Sequence, residues 1–225
     1  MSNSPLVTYT KYSPHNRGQK THAIDRITPH CVVGQCSIEA LGAEFSKTSR
    51  IASSNYGIGA DGRVGLFVDE DCTAQTSSSY DNDNRAVTIE CASDTTYPWA
   101  FRPVVYEALV NLCVDICRRN GKKKLLWLGD KQTALSYQPA PDEMVLTVHR
   151  WFANKSCPGD WMFDRMGELA GRVTAALNEP ETHWYDEAMK WASDNKIMMD
   201  GRPNDPVTRA EIATMLMRYN DAFGK

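Results

Sequence analysis

Apolar positions recur along this chain with two rhythms, and the rhythm predicts each element. Ile27 to Val33 is rich in β-branched residues and predicts a strand. Pro29 within it predicts an edge position or a bulge, because proline has no N–H for a ladder. Ser37 stands ready to cap a helix whose apolar face is Ile38, Leu41 and Phe45. Tyr56 to Val68 reads as a hairpin with a two-residue turn at Asp61-Gly62. Ala86 to Cys91 and Leu125 to Leu128 are further strand candidates. Pro103 suits the first turn of a helix that carries Val105, Leu109, Leu112 and Ile116 on one side, and Gly121 suits its end. From Met144 to His149 the side chains alternate, with Val145, Thr147 and His149 on one face of a strand. A helix from about Asp160 to Leu177 then shows Phe163, Met166, Leu169, Ala170, Val173 and Leu177 as its apolar stripe.

Short strands interleaved with helices predict an α/β or α+β domain over residues 1–177. Residues 178–181 read as a polar linker. Residues 182–225 read as a helical pair. The first helix carries Trp184, Ala188 and Trp191 at helical spacing. The second follows a capping box of Thr208 and Glu211, and its expected buried face is Ile212, Met215, Leu216 and Tyr219. So short a piece has little core of its own, so it is expected to dock on the first domain or to self-associate into a homo-oligomer.

Composition works mainly by exclusion. The chain has 225 residues, 42% of them hydrophobic, enough for a sizeable core, and a formal net charge of -3. Its longest basic run, Lys122 to Lys124, fits a solvated loop after a helix, so no nucleic-acid partner is expected. No apolar run is long enough for a membrane span. The N-terminal stretch has no apolar core of the signal-peptide kind, so synthesis in the cytoplasm is expected. The seven cysteines are an odd number and do not read as a disulfide framework. Cys31, Cys36, Cys113 and Cys117 are read as packing residues.

Cys157 stands apart. His149, at the end of its strand, precedes it by eight positions, and the cysteine opens a Cys-Pro-Gly turn. A loop of that length can aim both side chains at one point. Zinc accepts imidazole nitrogen and thiolate sulfur, and a catalytic site needs three protein ligands with a fourth position open. His30, on the earlier strand, is the natural third donor.

Four segments in order strengthen this reading: Ile27-Thr-Pro-His-Cys-Val-Val, Asn55-Tyr-Gly57, Ala86-Val-Thr-Ile-Glu90, and His149 with Lys155-Ser-Cys-Pro-Gly159. Together they resemble the zinc-dependent N-acetylmuramoyl-L-alanine amidases, which include phage endolysins, autolysins and peptidoglycan recognition proteins. The resemblance implies a central mixed β-sheet flanked by helices, with Zn2+ in a groove on the sheet. It implies peptidoglycan as substrate, cut between N-acetylmuramic acid and the L-alanine of the stem peptide. By the same resemblance His30, His149 and Cys157 are metal ligands. Glu90 is the general base, Lys155 steadies the oxyanion, and Tyr56 is a further catalytic group. The stretch Thr73 to Tyr80 departs from the pattern, having neither the His nor the Trp that many relatives carry there.

Residues 182 to 220 resemble a single S-layer homology motif, through Arg202-Pro-Asn-Asp205 and Thr208-Arg-Ala-Glu211. That resemblance implies binding to a secondary cell-wall polymer. The expected whole is an endolysin of a Gram-positive host that acts on the wall after release. The alternative is a non-catalytic peptidoglycan-binding protein, which ranks lower because Cys157 is present.

Overall fold

The computed structural model describes residues 3–49, 51–179, 185–198 and 205–224. The chain forms two compact units, residues 1–178 and 179–225.

The first unit is built on a seven-stranded mixed sheet. Its strands are β1 (Val7–Thr10), β2 (Arg26–Cys31), β3 (Tyr56–Ile58), β4 (Val64–Leu66), β5 (Ala86–Cys91), β6 (Lys124–Leu126) and β7 (Glu143–Leu146). They lie in the order β1-β4-β3-β5-β2-β7-β6. Only the β3–β4 hairpin is antiparallel. Its connection is a three-residue loop and not the expected two-residue turn. Gly59 N–H bonds Arg63 O at 2.9 Å, and Gly62 takes the left-handed φ of +84° that closes such loops.

The helices of this unit are α1 (Ile38–Phe45), α2 (Tyr80–Asp83), α3 (Pro103–Arg119), α4 (Lys131–Ser136), α5 (Asp160–Phe163) and α6 (Met166–Asn178). Ser37 caps α1 through the Ala40 N–H. α3 buries Val105, Leu109, Leu112 and Ile116 completely, in one core with Ile27, Ile89, Met144 and α6. The expected helix 160–177 is broken at Asp164-Arg165 into α5 and α6. The opposite sheet face receives α1, whose Ile38, Leu41 and Phe45 pack on Phe67. That approach needs Gly57, where a Cβ would lie 2.5 Å from Phe67 and 2.6 Å from Leu41. Short elements that periodicity does not announce are β1, α2 and α4.

Pro29 sits in a central strand, contrary to its expected edge or bulge. β2 is flanked by β5 along its length, but β7 pairs with it only at Arg26 and Ile27. Ile27 O still accepts from Thr147 N–H at 3.0 Å; two residues on, the same side of Pro29 faces no strand. The missing N–H therefore costs no ladder bond.

In the second unit, α7 (Asp186–Asp194) and α8 (Arg209–Phe223) are described. Thr208 and Glu211 form the capping box. Trp191 stacks on Phe223 with ring centroids 5.7 Å apart, and Tyr219 joins them. The face expected to be buried is not: Ile212, Leu216 and Tyr219 are 43%, 64% and 48% exposed, because two helices leave it no third layer. Trp184 and residues 201–204 of the resemblance lie outside the described residues. Among the described residues, no helix is long and apolar enough to cross a membrane.

Candidate functional site

Strands β5, β2 and β7 are parallel neighbours, so their carboxyl ends open on one edge of the sheet. Ligands of open α/β sheets bind at such ends. His30 stands near the end of β2 and Glu90 near the end of β5, paired in register. His149 lies just beyond β7, in a 3-10 turn over His149–Trp151 and not within the strand as expected.

Cys157 reaches the same point because its loop is clipped back. Cys157 O accepts from the Arg150 N–H at 3.1 Å, and the Arg150 guanidinium donates to Ser156 O at 2.5 Å and to Asp160 at 2.9 Å. The donor atoms of His30, His149 and Cys157 all lie within 4.8 Å of one another. Cys157 Sγ is 3.2 Å from His30 Nδ1. Two ligands on a tetrahedral zinc, at bond lengths of about 2.1 and 2.3 Å, stand roughly 3.5 Å apart, so the cluster fits such an ion with a small adjustment.

The electrostatics fit too. Burial, helped by the neighbouring His149, holds the His30 imidazole well below its usual pKa. Burial, then the Lys155 charge, lowers that of His149. Both rings are thus kept neutral, the form that ligates a metal. Burial pushes the Cys157 thiol well up, reinforced by a hydrogen bond with the Cys31 thiol. A cation there would displace that proton.

Beneath the cluster lies a buried polar floor. Thr28 and Thr147 hydroxyls meet at 2.8 Å, and Asn82 bonds both, at 3.1 and 3.0 Å. Each threonine stands two residues before a histidine, so the period-two pattern of the strands could have flagged them. Ser78 Oγ lies 3.0 Å from His149 Nε2. Nothing in the sequence pattern points to Ser78 or to the Arg150 clip.

Above the cluster opens a groove of about 470 Å³, lined by Arg17, Ser78, Tyr80, Glu90, His149 and Lys155 among others. Of the predicted residues, the structure thus gathers His30, His149 and Cys157 in one cluster, with Glu90 and Lys155 at the groove. It does not bring Tyr56 there. Tyr56 pairs in register with Ile89, on the face opposite Glu90, and is fully buried. Its hydroxyl donates to Glu70 at 2.8 Å and accepts from Ser4 N–H at 2.9 Å. Burial, then the Glu70 charge, pushes its pKa up. Glu70 is held in turn by Arg119 and Asn120 of the α3 end. Cys113 and Cys117 are buried packing residues as expected, whereas Cys31 is half-buried and lines the groove.

Fold and site together define an α/β protein with a His-His-Cys cluster of metal-ligating type at the floor of an open groove. Residues 20–160 match the family model of N-acetylmuramoyl-L-alanine amidase (Amidase_2), and the chain belongs to that family. It is a peptidoglycan amidase, acting on the bond between N-acetylmuramic acid and the stem peptide's L-alanine. Among solved structures, the fold is similar to the endolysin N-acetylmuramoyl-L-alanine amidase LysCS from Clostridium intestinale. The identity is 15%, covering 80% of this chain and 100% of that one, with a TM-score of 0.51. It is also similar to the Staphylococcus aureus hydrolase AmiA in complex with its ligand, at 10% identity over 74% of this chain and 82% of that one, with a TM-score of 0.50. No curated protein matches the chain by sequence.

Proposed function

We propose that this amidase is zinc-dependent, with His30, His149 and Cys157 as ligands, Glu90 as proton carrier and Lys155 as the cation beside the reacting carbonyl. The observation that carries the proposal is the convergence of the two histidines and the cysteine, their donor atoms within 4.8 Å. Two imidazoles and a thiolate are a donor set that zinc takes readily. When bound, zinc supplies a Lewis acid and lowers the pKa of water to about 7.

The chain's own residues do the rest. The groove seats the glycan and stem peptide across the strand ends. Glu90, level with His30 in the sheet, takes a proton from the attacking water and passes it to the leaving amine nitrogen. Lys155 offsets the negative charge gathering on the carbonyl oxygen. Ser78 steadies the His149 ring through its hydrogen bond. Tyr56 has no part in this scheme, since its hydroxyl is spent on Glu70.

The proposal extends to biology. The chain serves as a phage or prophage endolysin of a Gram-positive host, made in the cytoplasm and acting on the wall after release; its likeness to LysCS, itself called an endolysin, supports this. The second unit recruits the enzyme to a secondary cell-wall polymer, with self-association covering its apolar face. Its capping box and its exposed Ile212, Leu216 and Tyr219 support that role.

The test is direct. Purified protein is added to Gram-positive cell walls with and without chelator, and newly exposed N-terminal alanine is measured alongside bound metal. Alanine release that stops on chelation and returns with zinc is expected. Release that survives complete removal of metal overturns the zinc mechanism.

A further inference from the structure

Arg17 is a guanidinium placed in the groove with no chemistry yet assigned to it. Its position is built, although it lies in a loop without regular structure. The Arg17 N–H bonds Thr73 O at 2.9 Å, the Thr73 N–H bonds Gly18 O at 2.8 Å, and Lys20 N–H bonds Asp71 O at 2.8 Å. Asn16 Oδ1 accepts from Gly18 N–H at 2.8 Å, and Gly18 takes a φ of +84°, so the chain turns sharply at the arginine. The side chain is steered as well. With the Gln75 amide turned so that its oxygen faces the arginine, that oxygen accepts from Nε at 2.5 Å and from Nη2 at 3.2 Å. The guanidinium carbon stands 5.8 Å from the Tyr80 ring centroid.

This cation forms no ion pair among the described residues. The groove carboxylates are engaged elsewhere. Asp83 accepts from the Thr76 and Ser77 N–H groups, Glu44 pairs with Lys47, and Glu90 stands beside His30. Gln75, a neutral acceptor, orients the guanidinium and leaves its charge uncompensated. A planar cation held in this way is suited to a carboxylate, which it can meet with two parallel hydrogen bonds.

The position says which carboxylate. Ser78 touches His149, and Tyr80, under Arg17, is two residues further on, at most about 7 Å between Cα atoms. An extended peptide covers about 3.3–3.6 Å per residue, so a stem peptide leaving the cut bond passes Arg17 near its second or third residue. Both can bear a free carboxylate: the α-carboxyl of the γ-linked glutamate at the second position, and that of a diamino acid at the third.

We infer that Arg17 is a specificity-determining residue that binds a stem-peptide carboxylate two or three residues beyond the bond that is cut. The inference rests on the amidase reading of this groove.

Four synthetic muramyl tripeptides test it, with carboxylate or carboxamide at the second position and, separately, at the third. Cleavage by the wild-type enzyme is compared with that by Arg17→Gln and Arg17→Lys, and thermal melts show whether each variant folds like its parent. A charge-assisted hydrogen bond is expected to be worth at least about tenfold in kcat/KM, so Arg17→Gln should lose that much, mostly through KM, on the peptide with the recognised carboxylate. It should lose under about twofold on the matching carboxamide, and Arg17→Lys should recover part of the loss. The position whose amidation erases the difference identifies the carboxylate. Equal losses on acid and amide at both positions, with folding intact, overturn the inference while leaving the amidase reading in place. Failure of the wild-type enzyme to cleave any of the four, or cell walls, overturns the amidase reading and this inference with it. A melt lowered in both variants, with the acid and amide losses still equal, reduces Arg17 to a loop anchor and likewise overturns it.

Discussion

His30 and Glu90 stand side by side, paired in register on adjacent parallel strands with their side chains on the same face of the sheet. This puts a carboxylate next to a metal-ligating imidazole without help from any loop. Rigid strands hold such pairs more tightly than loops do. Glu90→Gln keeps the shape and removes the proton carrier. Its turnover should fall by about 10²–10⁴-fold, the usual span for lost general acid–base catalysis, with bound metal unchanged. Turnover near normal in Glu90→Gln assigns the proton to another group.

Tyr56 makes the contrasting case. Its hydroxyl is locked to Glu70 on the other side of the sheet. Tyr56→Phe should leave kcat within about threefold. It should cost about 1–3 kcal/mol in chemical denaturation, because a buried charged carboxylate loses a donor. A large loss of kcat with stability intact is the opposite outcome and returns Tyr56 to the chemistry.

The Arg150 clip should matter to metal and not to fold. Removing its side chain frees the Ser156 carbonyl and the Asp160 carboxylate, loosening the loop that delivers Cys157. Arg150→Met is expected to weaken zinc binding by about 10–100-fold, the range typical of groups that support a ligand from behind. Competition with a coloured chelator reads this directly. A Cys157→Ala control should bind no zinc at that strength.

The buried His30 predicts a pH dependence for the metal-free protein. Its folded pKa lies well below the unfolded value of 6.5. Below pH 6.5 the unfolded chain therefore takes up a proton that the folded chain refuses, and stability falls as pH falls. The slope from this residue approaches about 1.4 kcal/mol per pH unit, until the buried ring itself protonates. Denaturation of chelated protein at pH 7, 6 and 5 should show this fall, and His30→Gln should flatten it. An identical slope in the variant places the proton uptake elsewhere.

Much of this was legible in the sequence, for identifiable reasons. The cores of α1 and α3 follow from helical spacing, because those helices bury one face and expose the other. The metal ligands were legible because a short loop ties His149 to Cys157. Tyr56 was misplaced because strand neighbours alternate in face, and resemblance does not reveal the register that sets Tyr56 beside Ile89 and leaves Gly57 beside Glu90. Ser78 and Arg17 were invisible because loops without periodicity carry them, and only the folded chain brings them near His149 and Tyr80. In the second unit, periodicity marked an apolar face in α8, but the spacing does not say whether anything covers it.

The parting of β2 and β7 beyond Ile27 leaves room in the sheet that proline tolerates and the metal cluster uses. Thr147 and Val148 span that opening, between the last strand residue and His149. They act as a ruler. Because side chains alternate along extended chain, adding or deleting one residue there would turn the histidine away from His30, though every ligand remained in the sequence. The spacing of this short step is therefore as much a part of the site as the residues that bind.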